Sequence, residues 1–261
     1  MDMPQFVSVE KDNHIAVITI QNPPLNVLSK AVFLSLREAF TELEGDGETT
    51  AVIVTGSGEK AFAAGADIKE FPELMYNPEM LGSVMETHEV LTYIEQFPKP
   101  TIAVLNGMTF GGGCELSLAM DMRIAEQHAQ IGLPEVKLGL FPGGGGTQRL
   151  PRLIGAPKAK ELMYTGDPVD AEAALSLGLV NKVVPTGEGL LHAKRLAERC
   201  ARHSLQSLSR IKRAVNKGLD RSLQEGLELE AQLFTDIFKT EDIKEGVQAF
   251  IEKRKPVFQN K

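Results

Sequence analysis

The chain has 261 residues, of which 43% are hydrophobic and 24% charged, a composition typical of a soluble globular protein, and its length suits one large domain or one domain with a small appendage. Its net charge of −7 disfavours a nucleic-acid or anionic-membrane partner, although a few well-placed donors can still bind an anionic small molecule. Two cysteines, Cys114 and Cys200, are too few for a disulfide framework and favour a reducing compartment. With no signal-peptide pattern and no apolar run of roughly 18 residues, we expect a cytoplasmic protein.

The first half of the chain alternates β-rich runs with helical patterns. Residues 7–10 and 15–20 predict two strands joined by a turn at Asp12 and Asn13. Ser29 predicts the N-cap of a helix that ends near residue 43. Further along, the pattern predicts a strand at 51–55, a helix at 81–97, a strand at 101–105, a helix from the glycines at 111–113 to about 120, and strands at 122–125 and 129–133.

The second half is dominated by helical spacing. The predicted helices cover 157–164, 171–177, 188–203, 205–217, a long stretch that ends at 238, and 241–253. This change of character predicts an α/β core at 1–187 followed by a helical region at 188–261.

Three glycine-bearing segments, at 61–69, 106–115 and 133–149, contain the candidate functional residues. In the second segment, three glycines precede a helical pattern that opens with Cys114 and Glu115. Backbone N–H groups in the first turn of a helix have no partner within the helix, and the positive end of the helix dipole lies behind them. Such groups can hold a developing oxyanion. Taken alone, however, the three glycines are equally typical of a flexible turn between a strand and a helix.

Two glutamates stand beside these glycines. Glu115 falls in the first turn of the predicted helix, where most glutamates only complement the dipole. Glu135 follows Pro134, and alone it would be interpreted as an exposed carboxylate in a turn. A pair of carboxyl groups can nevertheless hold a water molecule and transfer a proton if burial shifts their pKa values.

Taken in order, these segments resemble the successive motifs of the crotonase family, the enoyl-CoA hydratases and isomerases. Each motif is weak evidence, but all of them in this order and at this spacing are specific, and the likeness extends over nearly the whole chain. The motifs are AGAD at 64–67, GGGCE at 111–115, PE at 134–135, PG at 142–143 and GTQR at 146–149, with NPPLN at 22–26, GLV at 178–180 and FIEKRKP at 250–256.

The resemblance implies a fold, an activity and an assembly. The fold would be α/β, a spiral of ββα units followed by a C-terminal α-helical region. The activity would be that of an enoyl-CoA hydratase, which adds water reversibly across the 2,3 double bond of a 2-enoyl-CoA to give a 3-hydroxyacyl-CoA, in fatty-acid β-oxidation or related acyl-CoA catabolism. No cofactor and no metal would be needed, since CoA is part of the substrate.

The resemblance also implies a homo-oligomer, which would be a trimer or a dimer of trimers. Apolar residues of the helical tail favour this assembly: Leu219, Leu223, Leu227, Leu229, Leu233 and Phe234.

The resemblance also implies site residues. The backbone N–H groups of Ala66 and Gly112 would form the oxyanion hole for the thioester carbonyl, with Glu115 and Glu135 as the catalytic acid–base pair. Hydratases keep both glutamates and isomerases often only the later one, so the hydratase branch is favoured. Residues expected to contact CoA are Ala64, Ala66, Ile68 and Lys69.

Two further expectations concern loops. Residues 71–80 contain Pro72 and Pro78 and predict a mobile cover over the acyl site. Gly144 and Gly145 depart from the family pattern, and their lack of side chains predicts a looser turn there.

Other enzyme classes are disfavoured by context. Residues 56–61 match a GxGxxA dinucleotide fingerprint, but a strand-like piece follows where that motif requires a helix. The same segment is not a phosphate-binding loop, because the glycine spacing and the hydroxyl residue of that motif are absent. The five histidines lack metal-ligand spacing, which disfavours a histidine metal site, and the absence of a GxSxG motif disfavours a serine hydrolase.

A binding function is the alternative outside enzymology. One branch of the crotonase family binds RNA through a lysine-rich helix early in the chain. The matching helix here contains Lys30 and Arg37 beside three glutamates, so its surface should repel phosphate. A basic strip at Lys212, Arg213 and Lys217 is more typical of a solvated helix face.

Overall fold

The computed structural model describes residues 6–67 and 71–261. In chain order the strands are β1 (Val7–Asp12), β2 (Ile15–Ile20), β3 (Ala51–Gly56), β4 (Ala61–Ala64), β5 (Thr101–Leu105), β6 (Met108–Phe110), β7 (Met122–Glu126), β8 (Gln130–Gly132), β9 (Val169–Asp170) and β10 (Lys182–Val184). The helices are α1 (Lys30–Gly45), α2 (Phe71–Leu74), α3 (Met80–Gln96), α4 (Gly112–Leu118), α5 (Gly146–Ile154), α6 (Ala156–Thr165), α7 (Ala171–Ser176), α8 (Gly189–Ala201), α9 (Leu205–Gly218), α10 (Leu223–Ile237) and α11 (Glu241–Glu252), with a 3-10 helix at Pro134–Leu138.

The strands of the described residues form two sheets. The larger has the order β1-β2-β3-β5-β7-β10 and the smaller the order β4-β6-β8-β9. Pairing is parallel except between β1 and β2 and between β8 and β9. The strands β3, β5 and β7 lie in the larger sheet, and each is followed at once by a strand of the smaller sheet and then by helical structure. The predicted spiral of ββα units is therefore confirmed.

The main core lies against one face of the larger sheet. Helix α1 begins as predicted, since the Ser29 hydroxyl accepts a hydrogen bond from Val32 N (3.4 Å). Its buried residues Leu36 and Phe40 follow one another at helical spacing, and the Phe40 ring meets Phe97 edge to face, with centroids 5.0 Å apart. This apolar stripe joins α1 to the sheet and to α3.

The other face of the larger sheet is covered by α8. Ala193 and Ala197 of this helix pack against apolar side chains that point away from the main core, and Glu126 fixes the start of the helix. The Glu126 carboxylate accepts hydrogen bonds from Gly187 N (2.8 Å) and Gly189 N (3.0 Å). The boundary at 187–188 between an α/β core and a helical region stays a prediction. Helix α8, which follows that boundary, packs on the sheet. The apolar partners in the sheet are Ile15, Val17, Ala51, Ile53, Ile102, Val104, Ile124 and Val184.

The helices α9 and α10 pack against each other beyond the sheets. A capping box at Ser222 and Glu225 starts α10, so the predicted long stretch to residue 238 is a separate helix. None of the helices in 6–67 or 71–261 is long and apolar enough to cross a membrane.

The elements that sequence patterns did not predict are short or start in glycine. The strands β6, β9 and β10 have two or three residues each, too few to display a period. Helix α5 begins at the last glycine of the run at 143–146, and glycine gives no helical signal.

One close approach sets the position of α4. A Cβ built on Gly113 would lie 1.9 Å from the carbonyl oxygen of Ala63 in β4. No other residue fits at 113 unless the helix moves away from the strand, so the absence of a side chain brings the first turn of α4 against the end of β4.

We therefore expect Gly113→Ala to lower the free energy of unfolding by about 3 kcal/mol, since the added methyl group overpacks a backbone contact. The matched control is Gly82→Ala in α3, where nothing lies within 4 Å of the added carbon. That change should be neutral or stabilise the protein by up to about 1 kcal/mol. Urea unfolding at one protein concentration measures both variants, and equal stabilities would contradict this account.

Candidate active site

Two backbone N–H groups meet where β4 and α4 approach each other. Gly112 is the first residue of α4, so its N–H has no acceptor within the helix. Ala66 forms a parallel bridge with Leu28, in which Leu28 N donates to the oxygen of the preceding residue, Gly65 (2.9 Å). In such a bridge the N–H of Ala66 points away from Leu28. A Cβ built on Gly112 would lie 3.8 Å from Ala66 N, so the two donors are neighbours.

The backbone of Gly111 makes the sharp turn that opens α4. Its φ of 53° and ψ of −124° belong to a region that glycine alone adopts readily. Gly111 N donates to Gly132 O (3.0 Å), which ties the end of β6 to the end of β8. A Cβ at Gly111 would lie 3.3 Å from Glu135 Oε1 and 3.4 Å from Gly65 Cα. Glu135 and the turn before Ala66 therefore face Gly111 together.

Glu115 is buried in the first turns of α4, with 4% of its surface exposed. Its Oε1 accepts hydrogen bonds from Gly144 N (2.7 Å) and Gly146 N (2.8 Å). Burial raises the pKa of Glu115, and the two amide donors and the charge of Arg149 oppose that rise. The carboxyl group is thus held in one orientation by the backbone of a distant turn.

The glycine run at 143–146 is therefore a tight turn, and the expectation of a looser one is wrong. A Cβ at Gly144 would lie 2.5 Å from Glu115 Oε2, and a Cβ at Gly146 would lie 3.0 Å from Glu115 Oε1. The missing side chains allow the backbone to come within hydrogen-bonding distance of the carboxylate. Sequence reasoning missed this role, and the only signal was the number of consecutive glycines.

Glu135 lies in the 3-10 helix and is half-buried, not an exposed turn carboxylate. Its Oε2 is buried and has no hydrogen-bond partner among the described residues. Burial raises the pKa of Glu135 to about 7, and the negative charge of Glu115 adds to the rise, while a hydrogen bond from its own backbone N–H opposes it. A buried carboxyl oxygen without a hydrogen-bond partner, on a group with a raised pKa, can exchange a proton with a bound molecule.

The two carboxyl groups thus have different surroundings. Burial raises the pKa of Glu115, but its carboxylate accepts two backbone N–H groups and lies near a guanidinium group, and both oppose that rise. Glu135 has an unpartnered buried oxygen and a neighbouring negative charge, which favour its neutral form. When the surroundings move the pKa values of two carboxyl groups apart, one group can act as the base and the other as the acid.

Arg149 lies behind the glycine turn, and only 13% of its side chain is exposed. Its Nε and Nη2 donate to Glu95 Oε2 (3.2 and 2.8 Å), and its Nη1 donates to Gly144 O (3.3 Å). Arg149 therefore joins α3, which contains Glu95, to the turn that holds Glu115.

Comparison with known proteins identifies the family. The model of the enoyl-CoA hydratase/isomerase family matches residues 10–261. The chain belongs to this family. It is 41% identical to the short-chain-enoyl-CoA hydratase of Clostridium acetobutylicum, with 95% of each chain covered. It is 41% identical to the crotonyl-CoA hydratase of Syntrophomonas wolfei, with 98% of each covered. The crystal structure of an enoyl-CoA hydratase from Bacillus anthracis superposes with a TM-score of 0.93 at 41% identity, covering 98% of this chain and 100% of that one.

The residues expected from the family to contact CoA are only partly described. Ala64 is half-buried at the end of β4, and its N–H donates to Leu25 O (2.9 Å). Ile68 and Lys69 lie outside the described residues. The expected cover contains α2 and the first residue of α3, and its role over the acyl site stays a prediction. Among residues 6–67 and 71–261, no three histidine, cysteine, aspartate or glutamate side chains are grouped to hold a metal ion.

The raised pKa of Glu135 predicts that the free energy of unfolding depends on pH. Between pH 4.5 and about 7 the unfolded chain loses this proton before the folded protein does, so the folded state binds more protons and the free energy of unfolding falls as pH rises. Glu135→Gln removes the ionisation. The variant should match the wild type below pH 4.5 and be more stable above about pH 7. Urea unfolding across this range measures the difference, and parallel curves would contradict the assignment.

Proposed function

We propose that this protein is an enoyl-CoA hydratase, which adds water reversibly to a 2-enoyl-CoA and gives a 3-hydroxyacyl-CoA. The observation that carries the proposal is the placement of two carboxyl groups in contrasting surroundings beside a pair of backbone donors. The names of the relatives from Clostridium and Syntrophomonas support the same activity. Loss of the conjugated thioester absorbance, with short, medium and long 2-enoyl-CoAs, tests it. A wild-type protein that hydrates none of them would exclude this function.

The backbone donors act on the thioester. We propose that Ala66 N–H and Gly112 N–H hold the carbonyl oxygen of the substrate. When water attacks C3, the π electrons of the double bond move towards C2 and C1, and negative charge develops on that oxygen. Two donors fixed before the reaction lower this barrier without reorganisation, and losing one typically costs about 2.7–4 kcal/mol. CoA enters as part of the substrate, and no separate cofactor is proposed.

The carboxyl groups divide the proton transfers. Glu115, whose carboxylate form is stabilised by hydrogen bonds from Gly144 N and Gly146 N against the effect of burial, orients the water molecule and accepts one of its protons as the C3–O bond forms. Glu135, with its raised pKa, delivers a proton to C2 as the enolate collapses. Proton exchange between the two groups or with solvent then restores the starting state, and dehydration reverses each step.

An isomerase is the second candidate within the family. Moving a double bond requires one group to remove a proton and return it to another carbon, for which Glu135 alone is enough. Glu115 is buried and accepts two hydrogen bonds from backbone N–H groups. This fixed second carboxyl group favours hydration, because that reaction needs a second group to hold water. An assay with a 3-enoyl-CoA measures isomerisation separately.

Replacing each carboxyl group by an amide tests this division. Glu115→Gln and Glu135→Gln preserve shape, so acyl-CoA binding should largely survive. Each change should lower kcat for hydration by about 10²–10⁴-fold, the usual contribution of general acid–base catalysis. The double variant should lose less than the product of the two single losses, because both groups act on one reaction.

Exchange of the α-proton with solvent gives an independent readout. Glu135→Gln should suppress exchange, because this residue is the proposed proton donor to C2, whereas Glu115→Gln should retain more of it. If Glu115→Gln hydrated at nearly the wild-type rate and still isomerised a 3-enoyl-CoA, Glu115 would not activate the water, and the case for a hydratase over an isomerase would be refuted.

The role in the cell is proposed from the family resemblance and the proposed reaction. A reversible hydration of 2-enoyl-CoA belongs to fatty-acid β-oxidation or to related acyl-CoA catabolism. A cytoplasmic location stays a prediction, supported by two free cysteines, Cys114 and Cys200.

We also propose a homo-oligomer, a trimer or a dimer of trimers. Of the apolar residues that suggested it, Leu229 and Leu233 are buried within the chain. The other four are more exposed than apolar side chains in a core. The three on α10 recur at spacings of four and seven residues, which places them on one helix face that a second copy can cover. Their exposed fractions are 75% for Leu219, 80% for Leu223, 50% for Leu227 and 65% for Phe234.

Sedimentation at micromolar protein should therefore give a species of at least three chains. Leu223→Glu should weaken it, because a charge placed in an apolar interface loses its hydration without gaining a partner. Gln232→Glu, at an exposed position about half a turn round the same helix from Leu223, is the control for a charged substitution. A stable monomer in the wild type would contradict the assembly.

A further inference from the structure

Gly144 makes two hydrogen bonds in opposite directions. Its N–H donates to Glu115 Oε1 (2.7 Å), and its carbonyl oxygen accepts from Arg149 Nη1 (3.3 Å). The two peptide units that meet at Gly144 therefore connect Glu115 to a side chain on the far side of the turn. A movement of Arg149 would shift the amide donors that orient the carboxylate.

The guanidinium group is itself held on two sides. Glu95 Oε2 accepts from both Nε and Nη2 of Arg149, and Asn216 in α9 donates to the carbonyl oxygen of Glu95 (3.2 Å). The fork geometry of arginine allows one side chain to bind a carboxylate and a carbonyl at once. The packing is also close, because a Cβ built on Gly145 would lie 2.2 Å from Arg149 Nη1.

We propose that Arg149 is a positioning residue: with Glu95 it fixes the turn at Gly144, and so holds Glu115 where it can accept a proton from water. The inference rests on the proposed hydratase function. Arg149 does not touch the reacting atoms in this scheme and acts through the backbone of the turn.

The electrostatic surroundings agree with this role. Within the described part of the chain, the charged or titratable groups that influence Glu115 or are influenced by it are Arg149 from α5, Glu135 from the 3-10 helix and the neighbouring thiol of Cys114 in α4. The charge of Arg149 lowers the pKa of Glu115, against the effect of burial. Removing that charge should make Glu115 harder to ionise, and a general base must be ionised to accept a proton.

The test compares Arg149→Gln, Arg149→Lys and Glu95→Gln with a control on the same helix. Arg152 lies on α5, and its Nε is 3.4 Å from Asp220 Oδ1, with more than half of its side chain exposed. Arg152→Gln therefore removes a guanidinium group that does not contact the turn at Gly144. For each protein, kcat and KM for hydration are measured across pH. The titration of Glu115 is followed without substrate by infrared difference spectroscopy, with Glu115→Gln as the reference.

We expect Arg149→Gln to lower kcat roughly 10-fold or more with little change in KM, as for the loss of a charge-assisted hydrogen bond. Glu115 should titrate at higher pH in this variant. Arg149→Lys keeps the charge but loses the fork, so kcat should fall while the titration stays near that of the wild type. The double variant Glu95→Gln/Arg149→Gln should lose little beyond Arg149→Gln alone, since Glu95 acts through Arg149.

The inference is overturned if kcat of Arg149→Gln stays within about twofold of the wild type, a difference of less than 0.5 kcal/mol at RT of about 0.59 kcal/mol. It is also overturned if Arg152→Gln has the same effect, or if KM alone changes. Should Arg149→Gln fail to fold, Glu95→Gln decides, because unchanged kcat and an unchanged Glu115 titration in that variant contradict the role. A wild type without hydratase activity would refute the proposed function, and the infrared titration would still test whether Arg149 controls Glu115.

Discussion

The contact between Gly113 and the carbonyl oxygen of Ala63 is the constraint on which the site depends. It exists because residue 113 has no side chain, and it lets a helix N-terminus lie directly against the end of a strand. The two donors, Ala66 N–H and Gly112 N–H, belong to different segments and become neighbours only through this approach. A larger residue at 113 would separate the segments without altering either one locally.

The site is assembled from backbone groups at least as much as from side chains. The donors facing the proposed thioester position are amides, and the groups that orient Glu115 are the amides of Gly144 and Gly146. Backbone donors lose little conformational entropy when they bind, because folding has already fixed them. The side chains that remain, Glu115 and Glu135, can then differ in proton affinity while lying in one small region.

Local patterns predicted most of the elements that lie in the main core. Ser29 and the apolar spacing after it predicted α1, and the buried apolar runs predicted β2, β3 and β5. The order of the glycine motifs, through the family resemblance, brought Ala66 and Gly112 into one hypothesis with Glu115 and Glu135. The contact of Glu115 with Gly144 and the bond from Arg149 to Glu95 were not predicted. They join residues far apart in the chain, and no period or motif in a single sequence specifies such a pairing.

The attachment of α8 has a consequence for synthesis of the protein. The second face of the larger sheet, which includes Ile53, Ile102 and Ile124, is covered by Ala193 and Ala197 and by nothing earlier in the described chain. A nascent chain that has emerged only as far as Glu126 therefore presents an apolar sheet face to water, and its buried carboxylate still lacks the amides of Gly187 and Gly189. Exposed apolar surface of this kind is what chaperones bind and what drives aggregation. The ribosome must deliver about three quarters of the chain before α8 can cover this face, so the layer closes late in synthesis.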